Sequence, residues 1–132
     1  MIHLLDSNTC IRYLNGQSES IRRNLEARRP EEIVLCSVVK AELIYGAVKS
    51  ARPESNLEKL RRFTEPFSSL PFDDGAAEVY GRIRTSLERK GTPIGPNDLL
   101  IAAIAIAHGA ILVTHNTDEF RRLEDLHLED WE

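Results

Sequence analysis

Cysteine is scarce in this sequence: only Cys10 and Cys36 occur, each among apolar neighbours and neither with a second Cys or a His at metal-finger spacing. That excludes a disulfide framework and a zinc finger, and leaves two buried, reduced thiols as the expectation. Long apolar runs are missing as well. The longest nearly uninterrupted one, Leu99 to Ala107, is far short of the ~20 residues that a membrane-spanning helix requires. The start Met1-Ile2-His3-Leu4-Leu5-Asp6 has no basic region ahead of its apolar stretch, so the chain is expected to be cytoplasmic and unprocessed, with no membrane partner. Nor is there an excess of positive charge. Seventeen Lys and Arg stand against 21 Asp and Glu, a net charge of -4, so bulk attraction does not hold a nucleic acid. A polyanion would need local help, either from basic clusters such as Arg22-Arg23, Arg28-Arg29, Arg61-Arg62 and Arg82 with Arg84, or from divalent cations that reverse the sign of an acidic pocket. Arginine pairs at helix spacing ordinarily read as solvated faces. Internal repeats, linkers and low-complexity segments are absent too.

What is present is an ordinary globular balance, 42% hydrophobic and 29% charged over 132 residues, enough to bury one core, so residues 1–132 are expected to form a single domain. Ile2 to Leu5 reads as a buried strand ending at Asp6, with Asn8 capping a helix over Thr9 to Leu14. Ser18 or Ser20 opens a second helix that Pro30 breaks. Ile33 to Cys36 reads as a strand, Ser37 as the cap of a helix to about Lys49, and Pro53 as the start of another that ends before Pro66. A brief strand at Ser68 to Pro71 precedes a helix over Ala76 to Lys90, capped by Asp73 or Asp74 and ended by Gly91. Gly95-Pro96-Asn97-Asp98 starts a helix stopped at His108-Gly109; Ala110 to Thr114 is a strand, followed by a helical turn after Asn116 and a last strand near His127-Leu128. Strands alternating with helices imply an α/β fold with a central, mainly parallel sheet flanked by helices. Ligands of such sheets bind beyond the carboxyl ends of the strands, the edge where Asp6 and the Thr114 to Asp118 segment fall.

Several acidic residues stand beside apolar sequence. Asp6 follows a strand, where an Asp equally starts a turn. Glu42 has Val38, Val39, Tyr45 and Gly46 as its helical neighbours, so it points into a partly buried, nonpolar surface, and a buried carboxylate is costly unless paired or bound to a metal. Asp98 leads into Leu99-Leu100-Ile101-Ala102-Ala103-Ile104-Ala105-Ile106-Ala107, a helix apolar on every side and therefore central; it doubles as a first-turn acid favoured by the helix dipole. Asn116 and Asp118 also fit an ordinary helix start. Hard carboxylate oxygens without His or Cys suit Mg²⁺ or Mn²⁺. The histidines His3, His108, His115 and His127 show no ligand-like spacing and are expected to be structural or exposed.

At these residues a family resemblance becomes specific. Leu4-Leu5-Asp6-Ser7-Asn8, Ser37-Val38-Val39-Lys40-Ala41-Glu42-Leu43-Ile44-Tyr45-Gly46, Pro93-Ile94-Gly95-Pro96-Asn97-Asp98-Leu99-Leu100-Ile101-Ala102-Ala103 and Leu112-Val113-Thr114-His115-Asn116-Thr117-Asp118-Glu119-Phe120 together resemble the PIN-domain toxins of the VapC family, in order and over essentially the whole chain. The resemblance implies a PIN-like fold and a Mg²⁺- or Mn²⁺-dependent endoribonuclease of a toxin-antitoxin pair that hydrolyses phosphodiester bonds in RNA, with tRNA one candidate. It also implies a homodimer restrained by a VapB-type antitoxin. Asp6, Glu42 and Asp98 match the family's acidic positions as catalytic residues. Asp6 and Asp98 are the expected direct ligands, and Glu42 a ligand or water-orienting base. The fourth position, often Asp, is Asn116, which keeps a carbonyl oxygen but loses a charge; Asp118 is the expected compensating carboxylate. The rival reading is a catalytically impaired module of the same fold that binds RNA or protein. A phosphate-accepting receiver domain would need a Lys after a late strand, and Thr114-His115-Asn116 supplies none.

Overall fold

Short, mostly aliphatic runs make the three central strands, because a strand buried on both faces tolerates no polar alternation, while the two edge strands are more polar and less buried. In the computed structural model, which describes residues 1–132, these are β1 (His3–Leu5), β2 (Ile33–Cys36), β3 (Ser68–Leu70), β4 (Ile111–Val113) and β5 (Leu128–Glu129). All neighbouring pairs are parallel, in the order β3-β2-β1-β4-β5. The chain therefore leaves β1 toward β2 on one side and returns to β4 on the other. Beside β1 lies the switch point where a parallel sheet opens a crevice at its carboxyl edge.

Seven helices cover the sheet: α1 (Ser7–Leu14), α2 (Glu19–Glu26), α3 (Ser37–Val48), α4 (Pro53–Thr64), α5 (Asp74–Lys90), α6 (Pro96–Ala107) and α7 (Thr117–Phe120). Their ends follow the expected punctuation. Ser18 caps α2, Asp73 caps α5 through Ala76 N–H, and Pro53 and Pro96 open α4 and α6. Gly91 and Gly109 take left-handed φ of 69° and 65°, which only glycine adopts cheaply, and so close α5 and α6. Two expected caps are displaced. Asp6, not Asn8, caps α1, because its carboxylate follows β1 directly and accepts Thr9 N–H at 2.9 Å, while Asn8 lies exposed inside the helix. Ser37 is the first residue of α3 rather than its cap.

The core is one cluster centred on Leu4, Leu5, Leu35, Leu112 and Val113 of the sheet and on Ile101, Ala102, Ile104 and Ala105 of α6. As its all-round apolar sequence requires, α6 buries residues Ile101 through Ala105. Both cysteines are buried free thiols. His3 is buried against Trp131, His108 half-buried near Asp73, and His115 and His127 exposed. No helix is long and apolar enough to cross a membrane.

Ile104→Ala is expected to lower unfolding free energy by about 3 kcal/mol, as for aliphatic truncations in a closed core. Arg23→Ala, on the exposed side of α2, should change it by less than ~0.5 kcal/mol. Urea denaturation of both variants checks the contrast, and equal losses would mean that α6 does not hold the core.

Candidate functional site

The carboxyl edge of β1 and β4 is built around Asp6. Its backbone N–H continues the sheet by donating to Val113 O at 3.1 Å, and its buried carboxylate takes hydrogen bonds from Thr9 and from the Thr114 hydroxyl. Burial nevertheless raises its proton affinity above the ordinary carboxylate value, and the charge of Glu42 adds to the rise. Thr114, wholly buried at the end of β4, also accepts Asn116 N–H at 3.0 Å. One hydroxyl thus ties Asp6 to the segment after β4.

Glu42 reaches the same edge from α3. Its Oε1 accepts the Ser7 hydroxyl at 2.5 Å and its Oε2 the Asn97 amide at 3.4 Å, so α1, α3 and α6 are stitched together through one half-buried carboxylate. Asp98, in the first turn of α6, has no such donor. Its pKa is pushed up to about 6, first by burial and then by Glu119, Glu42 and Asp6. All three of the principal acidic residues expected from the sequence are therefore within electrostatic reach of one another.

Asn116 and Asp118 part company. Asn116 lines a surface cavity with Asp6, Asn8, Arg12, Gln17 and His115. Asp118 does not join them: its side chain is 98% exposed and faces Arg121 at 3.7 Å. The carboxylate that does join is Glu119, which accepts Gly95 N–H at 2.8 Å through Oε1 and the Asn116 amide at 3.1 Å through Oε2. Those bonds hold its pKa below the usual range. Helix spacing carried the signal, since positions 116 and 119 share a face and 118 lies on the opposite side. Ser7 and Thr114, the hydroxyls that orient Glu42 and Asp6, carry no such signal because their partners are distant in sequence.

The four carboxylates Asp6, Glu42, Asp98 and Glu119 offer only oxygen ligands, and none is paired with a cation. Two of them bind a proton more tightly than normal, which marks a place short of positive charge. Such a donor set fits a hard divalent cation. A second cluster, His115, Asp130 and Glu132, has ligand atoms within 4.8 Å of one another. It is exposed and already compensated: His115 pairs with Asp130 at 2.9 Å and Glu132 pairs with Arg12. It is thus the weaker place for an ion.

A family model described as PIN domain matches residues 3–126. The chain is 44% identical over its full length to Ribonuclease VapC2 of Rickettsia felis, covering 99% of that protein. It is 42% identical to the tRNA(fMet)-specific endonuclease VapC of Salmonella typhimurium, over 97% of this chain and 96% of the other. Among solved structures, VapBC2 from Rickettsia felis bound to a promoter DNA fragment superposes with a TM-score of 0.92 at 42% identity, over the whole of both chains. DNA-bound VapBC from Salmonella typhimurium gives 0.94 at 39% identity, over 100% of this chain and 99% of that one.

Because Asp98 holds its proton more tightly folded than unfolded, it lowers stability as pH rises from the ordinary carboxylate range through about 6. Asp98→Asn removes that half-buried charge. At pH 7 and without metal it should stabilise the protein by about 1 kcal/mol, the shift discounted for partial exposure, and the gain should fade toward pH 4. Thermal denaturation in chelator at both pH values measures this; a destabilised variant at pH 7 would show that the charge of Asp98, in its half-buried place beside the other carboxylates, costs the fold nothing.

Proposed function

The chain belongs to the PIN domain family, among its VapC ribonucleases, and from that premise we propose that it is a Mg²⁺- or Mn²⁺-dependent endoribonuclease, the toxin of a VapBC-type pair, acting on structured RNA. The observation that carries the proposal is the convergence of Asp6, Glu42, Asp98 and Glu119 at the switch point of the sheet. When bound, a divalent cation supplies the charge that draws in the scissile phosphate and stabilises an in-line displacement.

Asp6 and Asp98 are the proposed direct ligands, since both are buried enough to favour neutralisation by any available cation. Glu42 is held by Ser7 through Oε1, which leaves Oε2, with its long contact to Asn97, to orient the attacking water and accept its proton. Asn116 orients Glu119 and presents its own carbonyl oxygen as a neutral donor. Glu119 takes the compensating role expected of Asp118, so the missing charge at Asn116 gives no support to the impaired-module reading.

Two surfaces support the proposed partners. Ile11, Leu14, Leu43, Gly46 and Leu60 line an apolar groove between α1, α3 and α4 that also reaches Glu42. An amphipathic antitoxin segment would fill it, its Arg forking onto the carboxylates. Ile44, Tyr45 and Val48, exposed on the outer side of α3, offer apolar area for the proposed homodimer. The tRNA named for the Salmonella typhimurium relative is the first substrate to try.

Partner-free protein is expected to cleave tRNA with Mg²⁺ or Mn²⁺ and to be silent in chelator. Asp6→Asn and Asp98→Asn should each cut the rate by ~100-fold or more, because stabilising the charge that develops at the reacting phosphate supplies much of the acceleration in such chemistry. Glu119→Gln should cost at least ~10-fold, Asn116→Ala less, and Asp118→Asn nothing. Cleavage rate against Mg²⁺ concentration for these variants decides the matter: a fully active Asp98→Asn protein, or cleavage unchanged in chelator, would defeat the site.

A further inference from the structure

Most of the basic clusters seen in the sequence are neutralised. Arg22 pairs with Glu19 and Glu26, Arg61 and Arg62 with Glu58, and Arg84 with Glu88. Such pairs leave little field to attract a polyanion. The outward face of α5 differs. Arg82, Arg89 and Lys90 are exposed, and none has a carboxylate within 4.0 Å. At i, i+7 and i+8 they share one side of the helix, with Ser86 between them.

These residues line two adjoining surface depressions. One is formed wholly by α5, from Gly81 to Lys90, and has no carboxylate in its wall. The other adds Arg122, and with it Glu124 and Asp125. Four cations thus face two carboxylates on a chain whose net charge is -4. The face also connects to the carboxylate site. Arg122 donates to Pro93 O at 2.8 Å, and two residues later Gly95 N–H donates to Glu119. Basic face and acidic pocket therefore meet across the short loop that opens α6.

We infer that this face of α5, with Arg122, is the track on which the phosphate backbone of the RNA lies as it leaves the carboxylate site. The inference rests on the ribonuclease reading above and adds where the substrate is held. From Arg82 to Lys90 the helix rises about 12 Å, a length over which successive phosphates of one strand can meet successive cations. Gly81 and Ser86 leave room beside the cations for close approach, and the Ser86 hydroxyl can donate to a phosphate oxygen. An acidic pocket repels the polymer it must cut, so binding energy has to come from cations set apart from it.

The test uses the full chain carrying Arg82→Glu, Arg89→Glu and Lys90→Glu together. With tRNA and Mg²⁺, KM should rise ~10-fold or more while kcat stays within about twofold, and the slope of log affinity against log salt should fall by about 2 to 3. Affinity is read by fluorescence anisotropy of labelled tRNA in an Asp98→Asn background. The control reversal, Arg61→Glu with Arg62→Glu, should leave both readouts within about twofold. Unchanged KM and salt slope in the triple variant would overturn the inference, as would an equal loss in the control, which marks bulk charge alone. Loss of antitoxin capture with RNA affinity intact would also overturn it and assign the face to a protein. Should the triple variant not fold, Arg89→Ala and Lys90→Ala singly are each expected to lower the salt slope by about 1. If wild-type protein cleaves no RNA, the ribonuclease reading fails, while anisotropy still reports on the face separately.

Discussion

Three carboxylates gathered within electrostatic reach of a fourth, Asp98, partly out of water, are the constraint on which this structure turns. Asp6, Glu42, Asp98 and Glu119 come from four separate segments, the end of β1 and the helices α3, α6 and α7. They are brought together by hydrogen-bond donors that carry no charge: Thr9, Thr114, Ser7, Asn97, the Gly95 amide and Asn116. Neutral donors fix the geometry of a carboxylate without cancelling its field. The cost of taking these charges out of water, with a smaller share from their mutual repulsion, appears in the raised proton affinity of Asp6 and Asp98 and is offset by the core beneath, where α6 packs on the sheet almost without a polar atom.

The topology makes that convergence possible. Because β4 pairs with β1 although more than 100 residues separate Val113 from Leu5, the turn after β4 lies against the residue that follows β1. Thr114 exploits the contact by bonding both Asp6 and Asn116. The strands are only two to four residues long, so little sheet stands between the core and its edge. Displacement of α6 would move Asp98 and the loop that holds Glu119 together.

Charge on the rest of the surface is sorted rather than mixed. Ion pairs at helix spacing neutralise α2 and α4, while the unpaired cations of α5 stand on the far side of the loop from the carboxylates. A chain with net negative charge can thereby present an attractive face to a polyanion and keep a pocket that attracts cations. Either feature alone would work against the other's ligand.

Composition and periodicity by themselves determined the α/β class, the order of the elements and nearly all their boundaries, since apolar runs, prolines and left-handed glycines act over a few residues. They also marked Asp6, Glu42 and Asp98, each conspicuous as a charge set against apolar neighbours. Asp6 as a helix cap lay outside that pattern, because the cap depends on where β1 delivers the chain. Helix spacing puts Glu119, and not Asp118, on the face of Asn116, but only the fold makes that face the inward one: Gly95, at the start of α6, meets position 119 and leaves 118 in water. Ser7 for Glu42 and Thr114 for Asp6 belong to the same class. A hydrogen bond between residues 35 or 108 positions apart has no local pattern, and exists only because a parallel sheet carries its strand ends to one edge.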